Sequence, residues 1–398
     1  MVKRLIGIAL AAFMLIAMLA ACAPTPPAPP APAPAPPQGE TPAAPAEGDW
    51  KIGIMTGTVA QSEESYLMAR ILQERFGEDR IIRTTYPDNF VAEMEVMIAN
   101  VQAMVDAGAR AIVITEAVPG TIAAIQSSRE LFGEDIFFFA GISHEPPEDI
   151  AAHADIAIIT DEIGQGRAII EQAYAMGADT FAHISFPRHM AMETIAVRHS
   201  LFQRYAEEKG MRWVELTAPD PATEGVAQTQ MFLLENVPRW VEEFGPNTAF
   251  FATNCGSQEP TMVQVAAYGG FFPLQCCPGP FHGLPAAFNI DMQGREVDVD
   301  FVVEQLQIAI DAAGATGRFS TWPVPMHMLV IETGVLYSIE FLEGRTNGRH
   351  DPEVLLRIIN QVAAIYTPDA LVELSNWELD DGRIVENFYL VLQNFINF

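Results

Sequence analysis

Three cysteines fall within one short stretch, Cys255 and the pair Cys276-Cys277, and thiols are the most reactive groups this chain offers. A thiol becomes a useful nucleophile only beside a base, and His189 or His282 would have to serve. No recognisable Cys-His signature surrounds them, so the plainer readings are small apolar lining of a cleft, or a disulfide. Their odd number leaves at least one thiol without an intramolecular partner. His183, His189 and His199 with a carboxylate would make a metal set, but their spacing fits no zinc pattern, and His183 reads as a packing residue within a strand. Gly53-Ile54-Met55-Thr56-Gly57 has the wrong spacing for a dinucleotide loop. No metal and no cofactor is expected. The remaining candidates make hydrogen bonds to a small molecule: Thr56, Thr58, Ser62, Glu116, Ser143, Arg188 and Asn254. Each also has a plainer role, as turn chemistry for Asn254 or as a solvated loop around Ser143 and Arg188. Tyr86, Phe186, Phe281 and Trp322 could wall such a ligand or belong to the core.

The elements that would position these groups follow from the apolar period. Lys51–Met55 is a short β-rich run, Thr56–Ser62 breaks it with small polar residues, and a helical spacing begins at Glu63. Tyr66, Leu67, Ile71 and Leu72 share its buried face, while Glu63, Glu64, Arg70 and Glu74 lie mostly off it. The same strand-loop-helix step recurs: strands at 81–86, 111–115, 136–140 and 156–160, with helices at 90–107 and 120–132. A second series starts at strand 180–184 and continues through helix 193–209, strand 212–216, helix 229–244, strand 249–253 and a strand at 271–275. Strands alternating with helices imply two doubly wound parallel-sheet lobes of α/β class, and ligands collect at the carboxyl ends of such strands. The cysteines, the hydrogen-bonding candidates and His189 sit at strand ends or in the loops that follow them. Asn254-Cys255 and Cys276-Cys277 end consecutive strands roughly 5 Å apart, so Cys255 is expected near one of the pair. Cys277 is the expected partner because it sits nearer the strand end, and alternation turns Cys276 and Cys277 to opposite sides so that only one should face Cys255.

The two ends and the charge bound the rest. Residues 1–22 have a basic start, a short apolar core and Leu19-Ala20-Ala21 before Cys22, and 23–49 is a Pro/Ala-rich spacer. The first lobe is expected over 50–160 with a return segment near 285–325. The second is expected over 161–284 with part of 326–398. A formal net charge of −29 argues against nucleic acid as a partner.

The order of parts resembles the type I periplasmic solute-binding proteins of ABC transporters, over nearly all of Trp50–Phe398. Lys51–Ser65 is similar to their opening strand and ligand loop. Ala196-Val197-Arg198-His199-Ser200-Leu201-Phe202 is similar to a second-lobe helix where arginine precedes Gly-Phe, and Ala249–Cys255 to a strand ending in Asn-Asp. Residues 1–22 resemble a bacterial lipoprotein signal whose cysteine bears lipid. The resemblance implies two lobes joined by a hinge, with Arg198 and Cys277 joining the candidate site; Arg198 would otherwise serve a surface salt bridge to Glu193 or Glu207. It also implies a small polar solute, an ABC permease as partner, and a lipid anchor at Cys22 on the extracytoplasmic face of the cell membrane. Ser200, Cys255 and Cys277 depart from the pattern, the last two where carboxylates grip sugar hydroxyls. A nucleoside-like or other ring-bearing solute is thereby favoured over a plain sugar. The rival readings are a surface-tethered enzyme with a cysteine nucleophile in the same cleft, and a ligand-binding sensory receptor.

Overall fold

Uninterrupted β-branched and aromatic runs need apolar cover on both faces, and the strands at 52–56, 111–114, 137–141, 156–160, 180–185 and 248–252 are buried at every position. The computed structural model describes residues 50–398; the expected signal peptide, lipid-bearing Cys22 and linker lie outside the described residues. The chain begins as β1 (Ile52–Thr56), α1 (Val59–Phe76), β2 (Ile81–Thr85), α2 (Met94–Asp106), β3 (Ala111–Ile114), α3 (Thr121–Phe132), β4 (Phe137–Gly141), α4 (Pro147–His153) and β5 (Ile156–Thr160). It continues as α5 (Glu162–Met176), β6 (Thr180–Ser185), α6 (Pro187–Met190), α7 (Glu193–Lys209), β7 (Arg212–Thr217), α8 (Val226–Phe244), β8 (Thr248–Ala252), α9 (Gln258–Tyr268), α10 (Leu284–Ala287), α11 (Val299–Ala312) and β9 (Ser320–Thr321). Last come α12 (Met326–Leu342), α13 (Pro352–Tyr366), β10 (Val372–Glu378), β11 (Ile384–Gln393) and β12 (Ile396–Asn397).

The first lobe is a seven-stranded sheet in the order β10-β11-β5-β4-β3-β1-β2, parallel except for the β10–β11 pair. The second is smaller, β7-β6-β8, also parallel. Helix α2 starts four residues later than the apolar period suggests, because Pro87-Asp88-Asn89 turns ahead of it; Asp88 accepts the Thr58 hydroxyl at 2.5 Å.

The C-terminal division differs from the expected one, although the last residues, Ile396 and Phe398, do join the second lobe. Residues 299–312 pack on the second lobe, where Val302, Leu306 and Ile310 join Phe250, Phe272 and Phe319 in its core. Residues 326–393 complete the first lobe. The cause is the apolar content of α12, which is buried along most of its length and so requires cover all round. It finds that cover against β3 and β4, where Gly334 permits close approach. A Cβ there would stand 2.8 Å from Phe139 and Val113 side chains.

The strand expected at 271–275 forms only two isolated bridges, Ala249 to Phe271 and Phe272 to Phe319. Pro273 has no N–H to give a ladder. Cys276 and Cys277 therefore lie in a bend, where strand alternation does not separate their side chains.

Three segments join the lobes: Asp161 after β5, Trp322–Pro325 between β9 and α12, and Asn394–Phe395 between β11 and β12. The Gln393 amide ties two of them, accepting from the Val324 N–H and donating to the Val324 carbonyl, both at 3.0 Å. No helix among the described residues is long and apolar enough to cross a membrane.

Candidate functional site

In the first lobe β1 lies between β2 and β3, so the chain leaves it in one direction and returns on the other side. At such a reversal the loops after the strands part and leave a crevice. A cavity of roughly 50 Å³ opens there, between Ser62, Tyr86, Glu116 and Ser143 of the first lobe and Asn254, Cys255 and Cys277 of the second.

The first-lobe wall is built around Glu116. Ser62 departs from helical geometry (φ −151°, ψ 67°), which kinks the start of α1 and brings two serines to one carboxylate. Ser62 and Ser65 hydroxyls donate to Glu116 Oε1 at 2.5 and 2.7 Å, and Thr115 Oγ1 donates to Oε2 at 2.5 Å. The Gly57 N–H reaches Oε2 at 3.4 Å and the Tyr86 hydroxyl at 3.5 Å. Burial and the adjacent Glu116 charge push the Tyr86 phenol well above its usual value, so it stays a neutral donor.

The second-lobe wall is the turn after β8 facing the bend at Cys276-Cys277. Asn254 Oδ1 accepts the Gly256 N–H at 2.9 Å, which leaves its Nδ2 as the atom able to face a ligand. Cys255 Sγ lies 3.5 Å from Cys276 Sγ and 3.8 Å from Cys277 Sγ, so Cys255 meets both members of the pair and all three thiols are free. The expected choice of Cys277 over Cys276 fails because the bend replaces the alternating strand. Behind the thiols stand His282 and His327, whose Nδ1 atoms lie 3.7 and 3.6 Å from Glu64 Oε2; His327 Nε2 lies 3.4 Å from Glu116 Oε1. Neither nitrogen of His327 has a hydrogen-bond partner, nor do His282 Nε2 and Glu64 Oε2.

The electrostatics of this group are mutual. The flanking Cys276 and Cys277 thiols hold Cys255 well below the ordinary thiol value, while burial pushes Cys276 up to about 11. Burial pulls His282 down, but the Cys255 charge outweighs it and holds the imidazole well above the usual value. His327 is raised to about 10 against its burial, by Cys255 and Glu64. Burial pushes the Glu64 carboxyl up, and the two imidazoles more than reverse it. The arrangement favours one thiolate beside two imidazolium groups and a carboxylate.

The family described as "Protein of unknown function (DUF3798)" matches residues 50–320. The chain belongs to the DUF3798 family. An uncharacterized protein of Treponema pallidum (strain Nichols) is 34% identical over 170 residues, 42% of this chain and 76% of that one. Among solved structures, a putative transcriptional regulator from Clostridium difficile 630 superposes with a TM-score of 0.65 at 17% identity, covering 88% of this chain and 99% of its own. LsrB from Clostridium saccharobutylicum, in complex with AI-2, gives 0.53 at 10% identity over 87% and 97% of the two chains. An ABC transporter solute binding protein from Clostridium phytofermentas, with bound L-rhamnose, gives 0.51 at 9% over 88% and 96%. The DUF3798 chain thus has the fold of the type I periplasmic binding proteins, two parallel-sheet lobes around a cleft.

Of the residues singled out from sequence, this DUF3798 chain brings Ser62, Glu116, Ser143, Asn254 and Cys277 to the cavity. Thr56 and Thr58 lie beside it with their hydroxyls turned to Gly57 O and Asp88. Arg188 is held by both oxygens of Asp220 at 2.7 and 2.8 Å, and borders a neighbouring depression with Ser143 and His144. Arg198 is not on the cavity surface. It is 1% exposed and buried between Gln165 Oε1 at 2.8 Å and Glu162 Oε1 at 3.2 Å, so it fixes Glu162, which does line the cavity. His183 stacks among Trp213, Phe251 and Phe202, and the His183, His189 and His199 trio does not form a metal set.

Sequence reasoning missed Glu64 and His327. Glu64 falls on the polar side of a regular helix, and only the kink at Ser62 turns it inward, to 3% exposure. His327 lies at the start of an apolar helix whose place in the first lobe was not legible. A histidine two residues after Pro325, in the first turn of a helix, was the available signal.

Proposed function

We propose that the chain is a lipid-anchored extracytoplasmic solute-binding protein that captures a small polar ligand between its lobes for ABC-type uptake. The observation that carries this reading is the pairing of strand-end groups across one cavity, Ser62 and Glu116 opposite Asn254 and Cys255. A ligand touching both walls stabilises the closed arrangement, and a permease reads closure. The cavity of roughly 50 Å³ is smaller than a sugar or nucleoside needs, so a solute of that size enters with the lobes parted. Anchoring rests on Cys22 and its preceding small residues, with the spacer at 23–49 holding the lobes away from the membrane. Native mass spectrometry of the full chain, purified from its own cells in detergent, tests the binding claim. A small-molecule adduct that disappears in Ser143→Trp supports it; an adduct that survives filling the cavity refutes it. Cys22→Ser releases the protein from membranes if the anchor is right.

A cysteine enzyme in the same cleft is the second reading, favoured by the acidified Cys255 thiol beside His282. Alkylation of Cys255 that abolishes a turnover while leaving ligand affinity unchanged would select it over transport.

A further inference from the structure

The cluster at the floor of the cleft is richer than hydrogen bonding to a polar solute requires. Cys255, Cys276 and Cys277 bring three sulfurs within 4.8 Å of one another, and Cys255 with His282 and His327 forms a second group within the same limit. Cys255 belongs to both. Metal–sulfur bonds of ~2.3 Å in a tetrahedron place their sulfurs ~3.8 Å apart. The Cys255 sulfur lies 3.5 and 3.8 Å from its two neighbours, far beyond the ~2.05 Å of a disulfide. We propose that Cys255, Cys276 and Cys277 hold a thiophilic d10 cation of the Zn²⁺ class, with His282, which stands within that limit of the shared Cys255 sulfur, turning in as the fourth ligand.

A second feature points the same way. His282 turns Nδ1 toward Glu64 Oε2 at 3.7 Å and leaves Nε2 without a hydrogen-bond partner. A carboxylate behind one nitrogen, with the other nitrogen free, is how proteins orient an imidazole for a metal. His327 stands beside it between Glu64 and Glu116, close enough to Cys255 to replace His282 when that ligand is lost. Buried polar nitrogens without partners are costly, and coordination satisfies them. Cys276, Cys277 and the His282 imidazolium give up their protons to solvent as the cation enters, so uptake releases acid. Three sulfurs and one nitrogen suit a tetrahedral, borderline-soft ion and disfavour Ca²⁺ or Mg²⁺, which take oxygen. The four ligands lie between residues 255 and 282, while the carboxylate behind His282 comes from α1 of the first lobe. The inference stands on these side chains and does not depend on the transport reading.

The test uses the full chain in detergent, reduced, stripped with chelator and titrated with Co²⁺, then with Zn²⁺. The expected result is one Co²⁺ per chain with thiolate-to-cobalt charge transfer and the strong visible absorption of a tetrahedral site, displaced by Zn²⁺. Cys255→Ser should weaken Co²⁺ binding by more than ~100-fold, and Glu64→Gln by ~10–100-fold through the imidazole it orients. Thermal unfolding without metal shows whether each variant folds. If Cys255→Ser does not, Cys277→Ser carries the same expectation. A reduced, folded protein with no cobalt–thiolate band overturns the proposal, as does a folded Cys255→Ser protein that binds Co²⁺ like the unaltered chain.

Discussion

The two walls of the cleft are made from the same kind of strand end and finish differently. In the first lobe an unbroken parallel ladder delivers Thr115-Glu116 beside the loop after β1, and Glu116 takes up hydroxyls from Ser62, Ser65 and Thr115. Its charge is matched by donors before any ligand arrives, so this wall is preorganised. In the second lobe the ladder stops at Pro273, and two consecutive cysteines face the same space as Cys255. There the thiols touch mainly one another and His282 behind them keeps Nε2 unpartnered, while His327 and Glu64 reach in from first-lobe helices with unpartnered atoms of their own. A complete sheet yields strand-end groups that satisfy each other; an interrupted one gathers groups that still need a partner. The first wall is satisfied before a ligand arrives, and the second keeps groups free to take one.

The comparison can be broken by removing what holds each wall. The largest effect is expected at Arg198, the buried cation that fixes Glu162 at the cavity and Gln165 behind it. Arg198→Ala leaves a buried carboxylate without its partner and should cost ~3–5 kcal/mol in urea unfolding. A loss below ~1 kcal/mol would mean that the pair does not hold Glu162 at the cavity. Glu116→Ala strands three hydroxyl donors in the first wall, and ~2–4 kcal/mol is expected by the same measurement. Gly141→Ala brings a Cβ to 2.5 Å from the Thr115 carbonyl oxygen and 2.4 Å from Val330, next to that wall. Overpacking of this kind should cost ~1–3 kcal/mol and lower the melting temperature. The smallest effect is expected for Tyr86→Phe, since its hydroxyl reaches Glu116 only at 3.5 Å; ~0.5 kcal/mol or less would be lost.

The first wall was largely legible in the sequence because period and loop chemistry agree there. A buried strand followed by Thr56–Ser62, and a strand ending at Glu116, place those residues at the carboxyl edge whatever the details of packing. The second wall was legible only in outline. Proximity of Cys255 to the later pair follows from consecutive strands, but the number of thiols it meets depends on a proline that ends the ladder. Arg198 shows another limit. Its position on α7 follows from spacing, whereas its partner depends on how closely α5 and α7 pack, and there it meets Glu162 instead of the cavity. Residues 299–312 and most of 326–393 were not placed on their lobes because periodicity identifies an apolar helix as buried without saying where. Glu64 and His327 depend on both limits, a kink in one helix and the placement of another.

The claim that both walls close on one small solute is tested most directly by amide hydrogen exchange on the full chain, with and without the small-molecule fraction of its own cells. Simultaneous protection of residues 56–62 and 253–257 is predicted, lost together when Ser143→Trp fills the cavity. Protection confined to one lobe, or protection that persists in Ser143→Trp, would contradict the account.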